Sequence, residues 1–194
     1  NNYLYKDTLK YEDIKKPLVF KKLLTILALQ VGNEVSLNKL SNEVNVSIQT
    51  VEKYLDILEK NYIIFSLMSF SRNLQKEIAK SRKYYFCDLG LRNSIINNFN
   101  QITLRQDVGQ IWENFCIFER VKHNHYAKLN KNLYFWRTYD QQEIDLIEEY
   151  DGKLSTFEFK FSTEKAKFPK IFAETYEGSS FTLINLKNVF DLLG

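Results

Sequence analysis

Residues 134 to 162 read YFWRTYDQQEIDLIEEYDGKLSTFEFKFS, with apolar and charged side chains alternating on both sides of Asp151-Gly152. Strict alternation is the period of a strand, and Asp-Gly supplies the left-handed backbone that a two-residue hairpin turn needs. The stretch therefore predicts two β-strands joined at Tyr150 to Lys153. Residues two apart share a face, so Glu158 and Lys160 point one way while Phe157, Phe159 and Phe161 face a core. If the strands pair, Asp145 comes beside Glu158. Two carboxylates and an ammonium then meet, a hard oxygen site suited to Mg²⁺ with a lysine able to orient or help deprotonate water. The plainer reading is a solvated hairpin face with a cross-strand ion pair. A third element is needed to decide between them.

The first half of the chain follows another pattern. Pro17 to Gly32 predicts a helix, Ser36 caps a second over 37–44, and Ser47 caps a third over 48–61 whose Val51, Tyr54, Leu55 and Leu58 form one stripe. Residues 62–70 and 83–87 read as strands with 71–82 between them. A short helix, a tight turn, a longer helix and a strand pair match the winged helix-turn-helix plan. The third helix would show Gln49 and Lys53 outward, and Arg72, Lys76, Arg82 and Lys83 make the wing basic, a patch able to take up nucleic-acid phosphates. Glu52, Asp56 and Glu59 on the same helix argue against deep groove insertion, so packing on a partner stands beside DNA contact.

The third element for the hairpin is Gly109 to Leu129, where Ile111, Phe115, Phe118 and Val121 recur at helical spacing and Glu113 lies near the first turn. A helix opening Gly-x-x-x-Glu, a strand carrying Ile144-Asp145 and a strand with Glu158-Phe159-Lys160 resemble the PD-(D/E)XK nuclease superfamily of restriction endonucleases and archaeal Holliday-junction resolvases. The resemblance implies that Asp145, Glu158 and the Phe159 carbonyl bind Mg²⁺ or Mn²⁺, that Glu113 supports the metal, and that Lys160 stands near the attacking water. It also suggests a place for Arg137 at the rim of the site. Ile144 replaces the usual proline. Over nearly the whole chain, the winged-helix segment, Lys83 to Leu91, Gly109 to Phe115, Trp136-Arg137-Thr138, Glu143 to Leu146 and Glu158-x-Lys160 are together similar to the domain that follows the P-loop module in a large family of prokaryotic AAA+ ATPases.

Composition narrows the classes. No run of 18 apolar residues exists and the start NNYLYKDTLKYED lacks a signal peptide's basic and apolar regions, so membrane partners are not expected and a cytoplasmic location is. Met68 is the only methionine and no glycine opens a phosphate-binding P-loop. The chain is expected to be part of a longer protein whose ATPase module lies upstream. The first hundred residues carry 15 Lys and Arg against 10 Asp and Glu, and the remainder 12 against 14, so the basic surplus belongs to the first half. Cys87 and Cys116 sit in apolar surroundings and read as core residues. His123 and His125, two apart near a helix end, fall on different faces and are not read as a metal pair.

The expected fold is α/β (α+β): a linker over 1–16, a winged helix over 17–100, and a PD-(D/E)XK-like α/β sandwich with a mixed central sheet over 101–194. A helix within 165–176, a strand over 181–185 and a terminal helix over 188–193 complete it. The expected function is that of the C-terminal part of an AAA+ type ATPase with a metal-dependent nuclease-like domain acting on DNA by in-line attack of activated water. The alternative is a catalytically inactive module that binds nucleic acid or a partner and regulates the ATPase. Oligomeric state is left open.

Overall fold

The computed structural model of the chain describes residues 14–71, 82–138 and 140–192. These hold six α-helices, seven strands and two short 3-10 turns, and the strand pairs are both parallel and antiparallel. The chain divides into two compact units, Asn1–Ser66 with Ser81–Leu104 and Leu67–Lys80 with Arg105–Gly194. Residues 1–13 of the expected linker, and most of the expected wing with Arg72 and Lys76, lie outside the described residues.

In the first unit α1 (Pro17–Leu29) starts on a proline, whose fixed φ suits a first helical turn, and buries Phe20, Leu23, Leu24, Leu27 and Ala28. Gly32 follows at φ 74°, a conformation costly for any residue with a Cβ, and its N–H donates to the Tyr84 carbonyl at 3.2 Å. α2 (Leu37–Val44) and α3 (Ile48–Lys60) begin at Ser36 and Ser47, whose hydroxyls accept from the N–H of Lys39 and Thr50. The stripe Val51, Tyr54, Leu55 and Leu58 is buried, and Tyr54 meets Phe20 edge-on at 5.4 Å between ring centres. β1 (Glu34–Val35) pairs antiparallel with β3 (Arg82–Phe86), which lies beside β2 (Ile64–Ser69). α4 (Leu89–Ile95) is capped by Asp88, which accepts from Leu91 N–H at 2.6 Å. Arg92 is buried and its Nε donates to the Ala28 carbonyl at 2.8 Å, satisfying one of the orphan carbonyls at the end of α1.

β2 continues into the second unit, where the strand order is β2-β4-β5-β6-β7. There α5 (Val108–Tyr126) is followed by β4 (Asn132–Arg137), β5 (Glu143–Tyr150), β6 (Lys153–Phe159), α6 (Lys170–Thr175) and β7 (Ser180–Ile184). The β5–β6 turn has Asp151 at φ 49° and Gly152 at φ 73°, the positive pair that a two-residue hairpin requires. Two expectations need correction. Residues 132–137 form a strand of their own beside the two expected in this stretch, and Arg137 ends it. Val189–Leu192 makes a 3-10 turn where a terminal helix was expected.

Strand β5 also departs from simple alternation. Tyr134 pairs with Ile147 and Trp136 with Ile144, so three steps along β5 oppose two along β4. This extra residue is a β-bulge, which re-aims the side chains around it. Ile144 and Ile147 consequently join one cluster with Phe70, Trp136, Leu154 and Phe172, although regular alternation would send them to opposite faces. Trp136 and Phe172 meet edge-on at 5.1 Å. The bulge falls at Asp145 and Leu146.

Candidate functional site

α5 lies against β6 and carries Glu113. Its contact face is fixed by Trp112, edge-on to Phe161 at 5.6 Å, and by the Arg120 guanidinium, 5.5 Å from the centre of the Phe157 ring. Phe157 and Phe159 are buried, as the alternation of β6 requires.

Asp145 is only 6 % exposed, and its Oδ2 accepts a hydrogen bond of 2.8 Å from the Phe159 N–H. Phe159 lies between Glu158 and Lys160, so this one bond ties the acid of β5 to the acid-x-lysine of β6. Glu158 Oε1 lies 2.6 Å from Lys160 Nζ. The Lys160 backbone N–H bonds to the Ile184 carbonyl at 3.0 Å, extending the β6–β7 pairing past the end of β6.

Electrostatics link all four residues. Burial holds the Glu158 carboxyl above its usual range; Lys160 pulls it down, and Glu113 and Glu143 push it up again. Burial lowers the Lys160 ammonium's pKa, but Glu158, Asp145 and Glu113 more than offset this and leave it raised. Burial, Asp145 and Glu113 push the Cys116 thiol up as well. Glu113, Asp145, Glu158 and Lys160 thus share one electrostatic neighbourhood. As the side chains stand, they do not share one point: among the described residues no group of three or more His, Cys, Asp or Glu is close enough to hold a metal ion.

Of the residues expected to meet nucleic acid, Gln49, Lys53 and Arg82 are exposed. Lys83 is 2 % exposed within β3, and this corrects its assignment to a solvated wing. β3 is buried on both faces from Lys83 to Phe86, and only Arg82 at its start reaches solvent. Arg137 is opposite Glu143 in the β4–β5 register and donates to Gln141 Oε1.

Two features went unassigned from sequence. Glu143 acts on Glu158, and the signal for it was Glu143-Ile144-Asp145, two acids on one face of a strand. The second is Glu148, 2 % exposed, which accepts from Arg120 Nε at 2.6 Å and Nη2 at 2.9 Å, from Asn124 Nδ2 at 2.7 Å and from Lys131 Nζ at 2.7 Å. No spacing rule finds it, because Glu148-Glu149 looks like an ordinary solvated pair.

Fold and site together define a mixed α/β protein with a carboxylate and lysine centre in its second unit. The chain belongs to the family described as Domain of unknown function (DUF8612), whose profile matches residues 1–102. Residues 108–189 match Domain of unknown function (DUF4143), a domain commonly found alongside AAA ATPases. Uncharacterized proteins of Mycobacterium bovis and Mycobacterium tuberculosis are each 30% identical over 139 residues, 70% of this chain and 30% of theirs. An uncharacterized protein of Haemophilus influenzae is 25% identical over 139 residues, 69% of this chain and 32% of its own length. The chain spans about a third of the length of the curated relatives it matches. No solved structure gives a significant match. Among the described residues no helix is long and apolar enough to cross a membrane.

Proposed function

We propose that the second unit is a PD-(D/E)XK nuclease-like domain that acts on DNA, joined to a winged helix within an AAA+ type ATPase. The observation that carries this reading is the hydrogen bond from Phe159 N–H to Asp145 Oδ2, which brings an acid of one strand to the acid-x-lysine of the next. The order helix, strand, helix, tight turn, helix, strand pair in the first unit supports the winged helix. The pairing of β1 with β3 supports it further.

Asp145, Glu158 and Glu113 are the residues that would hold Mg²⁺. Their type fits, since all three offer hard oxygen donors, and so does their charge. Burial first, and then Glu113 and Glu143, keep the Glu158 carboxyl raised in spite of Lys160, and a divalent cation would favour its charged form. When bound, Mg²⁺ supplies Lewis acidity to water and to the phosphate. The chain's own groups do the rest. The Phe159 N–H fixes the Asp145 carboxylate. Lys160, its pKa raised by three acids, keeps its proton at neutral pH. As an ammonium it is a cationic donor able to neutralise developing phosphate charge. For Glu158 to act as a ligand, its Oε1 must exchange Lys160 for the cation.

Cleavage of several DNA forms in Mg²⁺ or Mn²⁺ tests the proposal. Lys160→Ala is expected to lower the rate by about 10²-fold or more. Equal rates for parent and variant would mean a contaminating activity and would remove the catalytic claim. The Glu158–Lys160 pair and the absence of a three-acid group among the described residues favour a second reading, a module that binds DNA or the ATPase without turnover. Salt-dependent DNA binding that survives Asp145→Asn and ignores Mg²⁺ would select it.

A further inference from the structure

The Glu148 network joins the same two elements that bring Glu113 and Asp145 to the candidate site. Arg120 and Asn124 lie on α5, Glu148 lies on β5, and Lys131 immediately precedes β4. Arg120 also donates through Nη1 to the Leu192 carbonyl at 2.6 Å, so one guanidinium gathers three segments.

Spacing relates this network to the site. Glu113 and Arg120 are seven residues apart, two turns of helix on one side, a rise of about 10.5 Å. Asp145 and Glu148 are three residues apart on β5, but the bulge takes up one of them and leaves about 7 Å along the sheet. Three steps would ordinarily put two side chains on opposite faces of a sheet. The bulge adds one residue to β5 at Asp145 and Leu146, and so returns Asp145 to the face from which Glu148 meets Arg120. Seating Arg120 on Glu148 therefore ties the helix that carries Glu113 to the strand that carries Asp145.

We infer that Arg120 and Glu148 form a positioning clamp that sets the register of α5 on β5 and thereby holds Glu113 against Asp145. The bidentate geometry suits this task, because two parallel N–H···O bonds fix orientation as well as distance. Both residues act through Glu113 and Asp145 and touch nothing that reacts. The inference rests on the nuclease-like reading of the acid site.

Mn²⁺ affinity of the folded chain, with folding checked by circular dichroism, tests it. Glu148→Gln is expected to weaken Mn²⁺ about tenfold, the scale on which outer partners of metal ligands act. Arg120→Lys keeps the charge but loses the fork, and is expected to give a smaller loss. Leu154→Val serves as a control: it loosens the cluster that also holds Phe172 and should lower stability without changing Mn²⁺ affinity. Parent affinity in a folded Glu148→Gln protein, with Asp145→Asn still abolishing binding, would overturn the clamp and leave the site reading intact. An equal loss in Leu154→Val would also overturn it, since general loosening would then suffice. Absence of Mn²⁺ binding in the parent would overturn both.

Discussion

Glu148 shows what a buried charge costs and how the chain meets that cost. Burial raises its pKa, but bonds from Arg120, Lys131 and Asn124 outweigh burial and leave it below the ordinary value of 4.5. A depressed carboxylate contributes stability that is present above its unfolded pKa and lost as pH falls through the folded one. Acid unfolding curves of parent and Glu148→Gln should therefore diverge above about pH 4.5 and converge below it. Glu148→Ala at neutral pH should cost about 3–5 kcal/mol by denaturant unfolding, because it leaves two cations without their carboxylate. Glu158 has the opposite sign. Its raised pKa means that ionisation opposes folding, so Glu158→Gln should raise the melting temperature at neutral pH, and the gain should vanish in acid. A site that destabilises its own fold is the usual mark of function over stability. Cys116 is a core residue and Cys87 is half-buried: burial raises Cys87 to about 11 and Cys116 further. Neither should react with a thiol reagent at pH 8 until the chain unfolds.

Local elements were the most legible part of the sequence, because their signals are chemical and short in range. Ser36 and Ser47 start the helices that their hydroxyls cap. Asp151-Gly152 turns where its backbone freedom allows. Gly152 at φ 73° has open space where a Cβ would go, so Gly152→Ala should cost about 1–2 kcal/mol through backbone strain alone, measured by thermal or chemical unfolding. What the sequence did not disclose was long in range. The β5 bulge depends on how β4 docks, and nothing between Glu143 and Tyr150 announces it. Alternation led to Asp145 beside Glu158; it did not disclose that Asp145 takes the Phe159 N–H while Glu158 takes Lys160. Lys83 was misread for the same reason, since a basic run looks solvated until the strand is built and one lysine turns inward.

At the scale of the whole molecule, chemistry is divided between the two units. The first offers Gln49, Lys53 and Arg82 at its surface, and the second holds the acid site. If the first unit meets DNA through phosphates, Lys53→Ala and Arg82→Ala should each weaken binding on every sequence alike. Each should also reduce the salt slope by about one, as seen by binding isotherms at several ionic strengths. Loss of binding without a change in slope would mean that these residues serve a protein contact instead. The central claim is narrower: Glu113, Asp145 and Glu158 hold a divalent cation once Glu158 releases Lys160. A Mg²⁺ titration followed by carbon-13 NMR of the carboxylates tests it directly. The account predicts that the Asp145, Glu158 and Glu113 signals move together, saturate at one ion per chain, and stay still in Asp145→Asn. Movement confined to exposed surface carboxylates, with these three unmoved, would contradict it.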